Sequence, residues 1–110
     1  MSAYAVNRRF ESRVPVRWAA SCQLGGRFAE GLVRDISGGG VFFTPVRTDT
    51  SHEEDKAPAQ LAFLEPGDTI VLTYRPDWRE DPVMVLATVR WVGFSHDNEV
   101  TGAGLKFEND

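Results

Sequence analysis

VPVRWAASCQL, residues 14 to 24, alternates. Val14, Val16, Trp18, Ala20, Cys22 and Leu24 fall on every second position, with Arg17, Ser21 and Gln23 between them. A two-residue period is that of a strand with one face buried and the other wet. Leu24-Gly25-Gly26-Arg27 then turns the chain, and the pattern resumes on the far side.

Working outward, a second strand is predicted over residues 28–36, a third over 41–44 and a fourth over 69–74. The fourth follows Glu65-Pro66-Gly67-Asp68, whose Pro-Gly pair suits the central positions of a type II turn. Val83, Val85, Ala87, Val89 and Trp91 mark one face of a fifth strand, with Thr88 and Arg90 on the other; Ala103, Leu105 and Phe107 mark a sixth. Six strands with short connections predict an antiparallel sheet, and closing it removes the exposed edges that invite aggregation. The expected fold is therefore all-β, a six-stranded antiparallel β-barrel with little or no C-terminal helix. Residues 46–64, which include the acidic SHEEDKA (51–57), read as either a helical turn or a loop. Trp18 and Trp91 are expected in the core. Trp78 lies in a polar turn, Arg75-Pro76-Asp77-Trp78-Arg79-Glu80, where it either contacts a partner or covers a barrel end.

Composition narrows the class. A chain of 110 residues makes one domain able to bury roughly two-thirds of the surface its unfolded form exposes. The lone Cys22 excludes a disulfide framework and reads as a small buried hydrophobe. No apolar run approaches the roughly 20 residues that cross a bilayer, and the N-terminal charges follow the short apolar piece rather than precede it. No membrane insertion and a cytoplasmic location are expected. His52 and His96 are isolated, neither a nucleophile elbow nor a phosphate-cradling loop is present, and no carboxylate constellation suggests a metal. An enzyme is not expected, nor a cofactor.

Charge is unevenly spread. Residues 1–35 hold six arginines, Arg8, Arg9, Arg13, Arg17, Arg27 and Arg34, against Glu11, Glu30 and Asp35, within a chain of net charge −4. A local basic site in an acidic protein disfavours nucleic acid polymers, which require a broad basic face, but suits a small anion. Two stretches could supply such a site: RRFESR (8–13) and DISGGG (35–40). Arginine presents a planar fork of donors matching phosphate oxygens and the O6 and N7 edge of guanine. Gly38, Gly39 and Gly40 let the backbone approach a ligand closely or take up positive φ, Asp35 can accept from a base edge, and Ser37 can bond phosphate or backbone. These are parts for binding a guanine nucleotide. The plainer alternatives are a solvated arm and a glycine-rich hairpin turn.

Arg9-Phe10-Glu11-Ser12-Arg13 matches an RxxxR motif and Asp35-Ile36-Ser37-Gly38-Gly39-Gly40 a D/NxSxxG motif; in this order and spacing the chain resembles the PilZ domain, the bacterial receptor module for cyclic di-GMP. Leu86-Ala87-Thr88-Val89-Arg90-Trp91 and Gly102-Ala103-Gly104-Leu105-Lys106-Phe107 look like the late strands of that family, so the resemblance runs from about Arg8 to Glu108. It implies that residues 1–13 form a flexible arm and 14–110 a PilZ-like split barrel. It further implies that Arg9 and Arg13 grip phosphates and guanine edges while Asp35, Ser37 and Gly40, with Gly38 and Gly39 between, form the opposing wall. Arg8, just ahead of the motif, goes in similar proteins with a stacked pair of dinucleotides, so two cyclic di-GMP molecules per chain are expected. Two roles follow: a second-messenger receptor whose arm orders on binding and signals to an effector protein in motility, pili or exopolysaccharide control, or an adaptor of the same fold that works without nucleotide through an exposed patch near Trp78 or Phe94.

Overall fold

The structure is a computed structural model that describes residues 13–46 and 59–108. Its elements are β1 (Val14–Leu24), β2 (Arg27–Ile36), β3 (Gly40–Pro45), a single 3-10 turn (Ala59–Leu61), β4 (Thr69–Tyr74), β5 (Val83–Ser95) and β6 (Val100–Phe107). All pairings are antiparallel, and the order β1-β2-β3-β6-β5-β4 returns to β1 to close a barrel, as expected. The last two strands run longer than the sequence pattern marked, forming a hairpin that projects past the end of β3.

Alternation builds the interior. Trp18 and Cys22 of β1, Val33 of β2, Phe43 of β3, Ile70 and Leu72 of β4, Ala87 and Val89 of β5, and Ala103 and Leu105 of β6 form one buried cluster. Residues 59–64, within the stretch left open between helix and loop, supply a plug: the 3-10 turn sends Leu61 into that core, fully buried, followed by Leu64. Each contributes roughly 1.5–3 kcal/mol by leaving water. The plug is held by the Leu64 amide donating to the Leu61 carbonyl at 3.0 Å and by Gln60 Nε2 donating to the Val46 carbonyl at 2.9 Å. Before β4 the Asp68 amide closes on the Glu65 carbonyl at 3.0 Å with Gly67 at φ 100°, the type II geometry the Pro-Gly pair predicts.

Register shifts fall between Pro15 and Trp18 of β1, Val33 and Asp35 of β2, and Val89 and Trp91 of β5; β1 keeps its alternation, with Val16 and Trp18 both facing the core, whereas the shifts in β2 and β5 are bulges that break the period. An extra residue in one strand moves everything beyond it to the opposite face. Uninterrupted alternation would aim Asp35 inward behind Val33, and Trp91 inward behind Val89. Instead Asp35 pairs with Phe42, and Trp91 with Gly104, both on the outer face. The expectation of a core Trp91 is therefore overturned: the residue is 39% exposed, whereas Trp18 is buried as predicted. Val14, on the apolar side of the first strand's pattern, is likewise exposed at the barrel end.

Candidate functional site

The bulges align five residues in a row across the outside of the barrel. Pro15 of β1 pairs with Asp35 of β2, Asp35 with Phe42 of β3, Phe42 with Gly104 of β6, and Gly104 with Trp91 of β5. Directly opposed residues share a face, so this row is a continuous shelf. Arg13 lies two residues before Pro15, and in extended chain an i, i+2 pair points the same way. Its Nη1 stands 3.7 Å from Asp35 Oδ2. The end of one sequence motif and the start of the other, twenty-two positions apart, thus meet in space.

Asp35 is 8% exposed, which is low for an outward-facing carboxylate. The cover comes from the β5–β6 hairpin, whose turn folds back over the sheet: Asn98 Nδ2 donates to Asp35 Oδ2 at 3.0 Å and to Ser95 Oγ at 3.2 Å. The Asn98 amide also donates to Ser95 Oγ, at 3.2 Å, and the Glu99 amide to the Ser95 carbonyl at 2.6 Å, so the hairpin tip is internally braced.

Beside the carboxylate, residues 37–40 form a tight turn. The Ser37 amide donates to the Gly40 carbonyl at 2.9 Å, and Ser37 Oγ accepts from the Gly39 amide at 3.3 Å, using the hydroxyl to hold backbone. The turn is pinned from behind by the Phe107 amide, which donates to the Gly39 carbonyl at 2.9 Å. Of the two alternatives for the glycine run, positive φ is not used at Gly39 or Gly40. A β-carbon on Gly40 would drive into the Leu105 carbonyl of β6, whereas one on Gly39 would meet nothing within 4 Å. Gly40 is thus required for strand packing, and Gly39 leaves open space above the turn.

At the other end of the row the Trp91 ring lies across Gly104, where a β-carbon would fall 2.5 Å from Cε2, and stacks on Phe42 with centroids 5.5 Å apart and planes 21° from parallel. The outer face of the indole remains wet. The site therefore offers a flat aromatic surface, a cation, a carboxylate and an open glycine turn along one shelf. Exposed Lys106, cross-strand from Gly40, adds a second cation in the adjacent row. Sequence reasoning missed Trp91, Lys106 and Asn98. For Trp91 a signal existed: the Gly102-x-Gly104 alternation of β6 vacates one face of a strand, which leaves room for a large ring from a neighbour.

Of the motif residues, Arg13, Asp35, Ser37, Gly39 and Gly40 are brought together; Gly38 lies in the same turn. Arg8 and Arg9 lie outside the described residues, as do the other residues of 1–12, which make up all but the last of the expected 1–13 arm, and SHEEDKA (51–57). A separate depression beside β1 is lined by Arg17, Arg75 and Arg79 but also by Asp77, Glu80 and Asp81, so its charges cancel and it makes a poorer anion site than the shelf. Trp78, between Asp77 and Arg79 in sequence, is 74% exposed and edge-on to Trp18 at 5.2 Å. Phe94 is half-buried, edge-on to His96 at 5.0 Å. Among the described residues no group of three His, Cys, Asp or Glu is placed to hold a metal ion, and no helix is long and apolar enough to cross a membrane.

A comparison with curated protein sequences finds no match. Among solved structures, the Bacillus subtilis inhibitor of motility (MotI/DgrA) has a similar fold, with a TM-score of 0.59 at 16% identity. The alignment covers 93% of this chain and 43% of that one, so this chain spans less than half the length of its structural neighbour. A family model described as the PilZ domain matches residues 7–110. With a closed six-stranded barrel, the last residue of one motif meeting the first of the other on its outer face and a family match over nearly its whole length, the chain belongs to the PilZ domain family.

Proposed function

We propose that this domain is a receptor for cyclic di-GMP that reports occupancy to a protein effector and is not an enzyme. The observation that carries the reading is the approach of Arg13 to Asp35 at 3.7 Å beside an open glycine turn. An anionic dinucleotide needs a donor fork for phosphate, an acceptor for the N–H edge of guanine and a flat surface for the base. Arg13, Asp35 and Trp91 supply one of each along the shelf, and Lys106 adds charge beside it. Arg9 and Arg8, from the preceding segment, would complete the cationic side. With Arg8 present the receptor takes two stacked dinucleotides, whose crowded phosphates demand an additional positive charge.

Family membership supports signalling through this messenger, and the structural neighbour is named as an inhibitor of motility, so motility is one process such a receptor would control. Isothermal titration of the purified chain with cyclic di-GMP tests the proposal: heat with a stoichiometry near two is expected, and no heat at high micromolar ligand would refute it. Arg8→Ala should lower the stoichiometry to one; a value still at two would remove the role given to that residue.

A second reading rests on Trp78. An indole 74% exposed beside a balanced set of charges is a surface suited to a protein contact, and a nucleotide-independent adaptor would use it. A silent titration together with an effector lost on Trp78→Ala would favour that reading.

A further inference from the structure

We propose that Asn98 is a positioning residue of the nucleotide site: by donating to one oxygen of Asp35 it turns the other toward the shelf as the acceptor that selects guanine. The inference deepens the cyclic di-GMP reading and rests on it.

A carboxylate on a strand rotates about its last torsion through a broad, roughly two-fold well, so an isolated aspartate presents neither oxygen in a fixed direction. Asp35 is not isolated. Its Oδ2 accepts from Asn98 Nδ2 at 3.0 Å and faces Arg13 Nη1 at 3.7 Å, and both contacts fall on the same oxygen. Oδ1 accepts no hydrogen bond from a described residue. An ionised carboxylate has about four acceptor positions, so Oδ1 retains its capacity for an incoming donor.

Which donor fits follows from charge. Oδ1 is an acceptor only, in a side chain whose exposure is reduced to 11%, where an unpaired partner group would cost more than in water. Guanine presents N1–H and an exocyclic N–H side by side on one edge; adenine presents a bare ring nitrogen there. A fixed acceptor rewards the first and repels the second, and the discrimination depends on its being fixed.

Asn98 is itself fixed. It sits in a four-residue turn whose backbone and side chain both donate to Ser95 Oγ, and Ser95 is 8% exposed. The sequence separation between Asn98 and Asp35 is 63 residues, so the contact is tertiary and joins the β5–β6 turn to a carboxylate on β2. Hairpin closure alone would be met by the Glu99 amide to the Ser95 carbonyl. The side-chain bond to Asp35 is additional to it.

The test uses the full chain and cyclic di-GMP as probe, with cyclic di-AMP as the discriminating competitor. Asn98→Ala should weaken cyclic di-GMP binding by roughly tenfold, the worth of one hydrogen bond to a charged group, while narrowing the preference over cyclic di-AMP. Asn98→Asp, which sets a like charge against Asp35, should weaken it further. In an Asp35→Asn background, where no anionic carboxylate remains to be oriented, Asn98→Ala should change affinity by less than about twofold. A purely structural Asn98 would give equal losses in both backgrounds, and that result would overturn the proposal, as would unchanged affinity of Asn98→Ala. A wild-type chain that fails to bind at all refutes the receptor reading itself, whereas a wild type that binds with Asn98→Ala unimpaired refutes only the role of Asn98.

Discussion

Arg13 and Asp35 form an ion pair between the end of one motif and the start of the other, Nη1 to Oδ2 3.7 Å, with the arginine side chain 57% exposed. A pair this wet is worth about 0–1 kcal/mol, since water already solvates the guanidinium. Its importance for ligand binding should greatly exceed its importance for folding. Arg13→Ala should leave the thermal midpoint within a few degrees of wild type yet weaken cyclic di-GMP binding by about 100-fold or more, the loss of a charge-assisted fork. Paired calorimetry and thermal unfolding check this; unchanged affinity would show the site to be elsewhere.

The two glycines of the turn should respond oppositely to a methyl group. Gly40→Ala places a β-carbon against the Leu105 carbonyl, backbone that cannot give way cheaply, and should cost about 1–3 kcal/mol of stability in urea unfolding. Gly39→Ala meets nothing within 4 Å and should fold like wild type. Any loss of nucleotide affinity in Gly39→Ala would then report a ligand lying against the turn, not a damaged barrel.

Trp91 stacks on Phe42 with one face and meets solvent with the other. Trp91→Ala should cost roughly 0.5–1.5 kcal/mol for the aromatic pair, plus exposure of a Phe42 ring now only 2% accessible. Gly104→Val, which displaces the indole by occupying its seat, should shift the tryptophan fluorescence and weaken ligand binding without touching any charged group. Retained affinity in both variants would remove the ring from the site.

Cys22 is fully buried, and that burial pushes its thiol from 9.0 up to about 12. The thiolate is the reactive form, so native protein should resist alkylation near pH 8 and react only once unfolded. Because the folded value lies above the unfolded one, the contribution is fully present below about pH 9 and is lost as pH rises toward 12. Chemical unfolding of wild type and Cys22→Ala across that range should show stability falling more steeply in wild type; parallel profiles would contradict the burial.

The amino-acid sequence determined the strands and the family without help from tertiary structure. Alternation from Val14 to Leu24 is a local property, readable wherever one face is wet and the other dry, and the Pro66-Gly67 pair dictates its turn through φ alone. The motif residues were legible because their chemistry, donor forks and an acceptor beside glycines, is carried by residue type. What only the folded barrel decided was the outward turn of Asp35 and Trp91 and the arrival of Asn98. A bulge arises from a mismatch between two paired strands, so it cannot be seen in either strand by itself, and a single one reverses every face beyond it. The bond from Asn98 to Asp35 spans 63 residues and joins the β5–β6 turn to β2, strands that are not neighbours in the closed sheet, a relationship that no local pattern encodes.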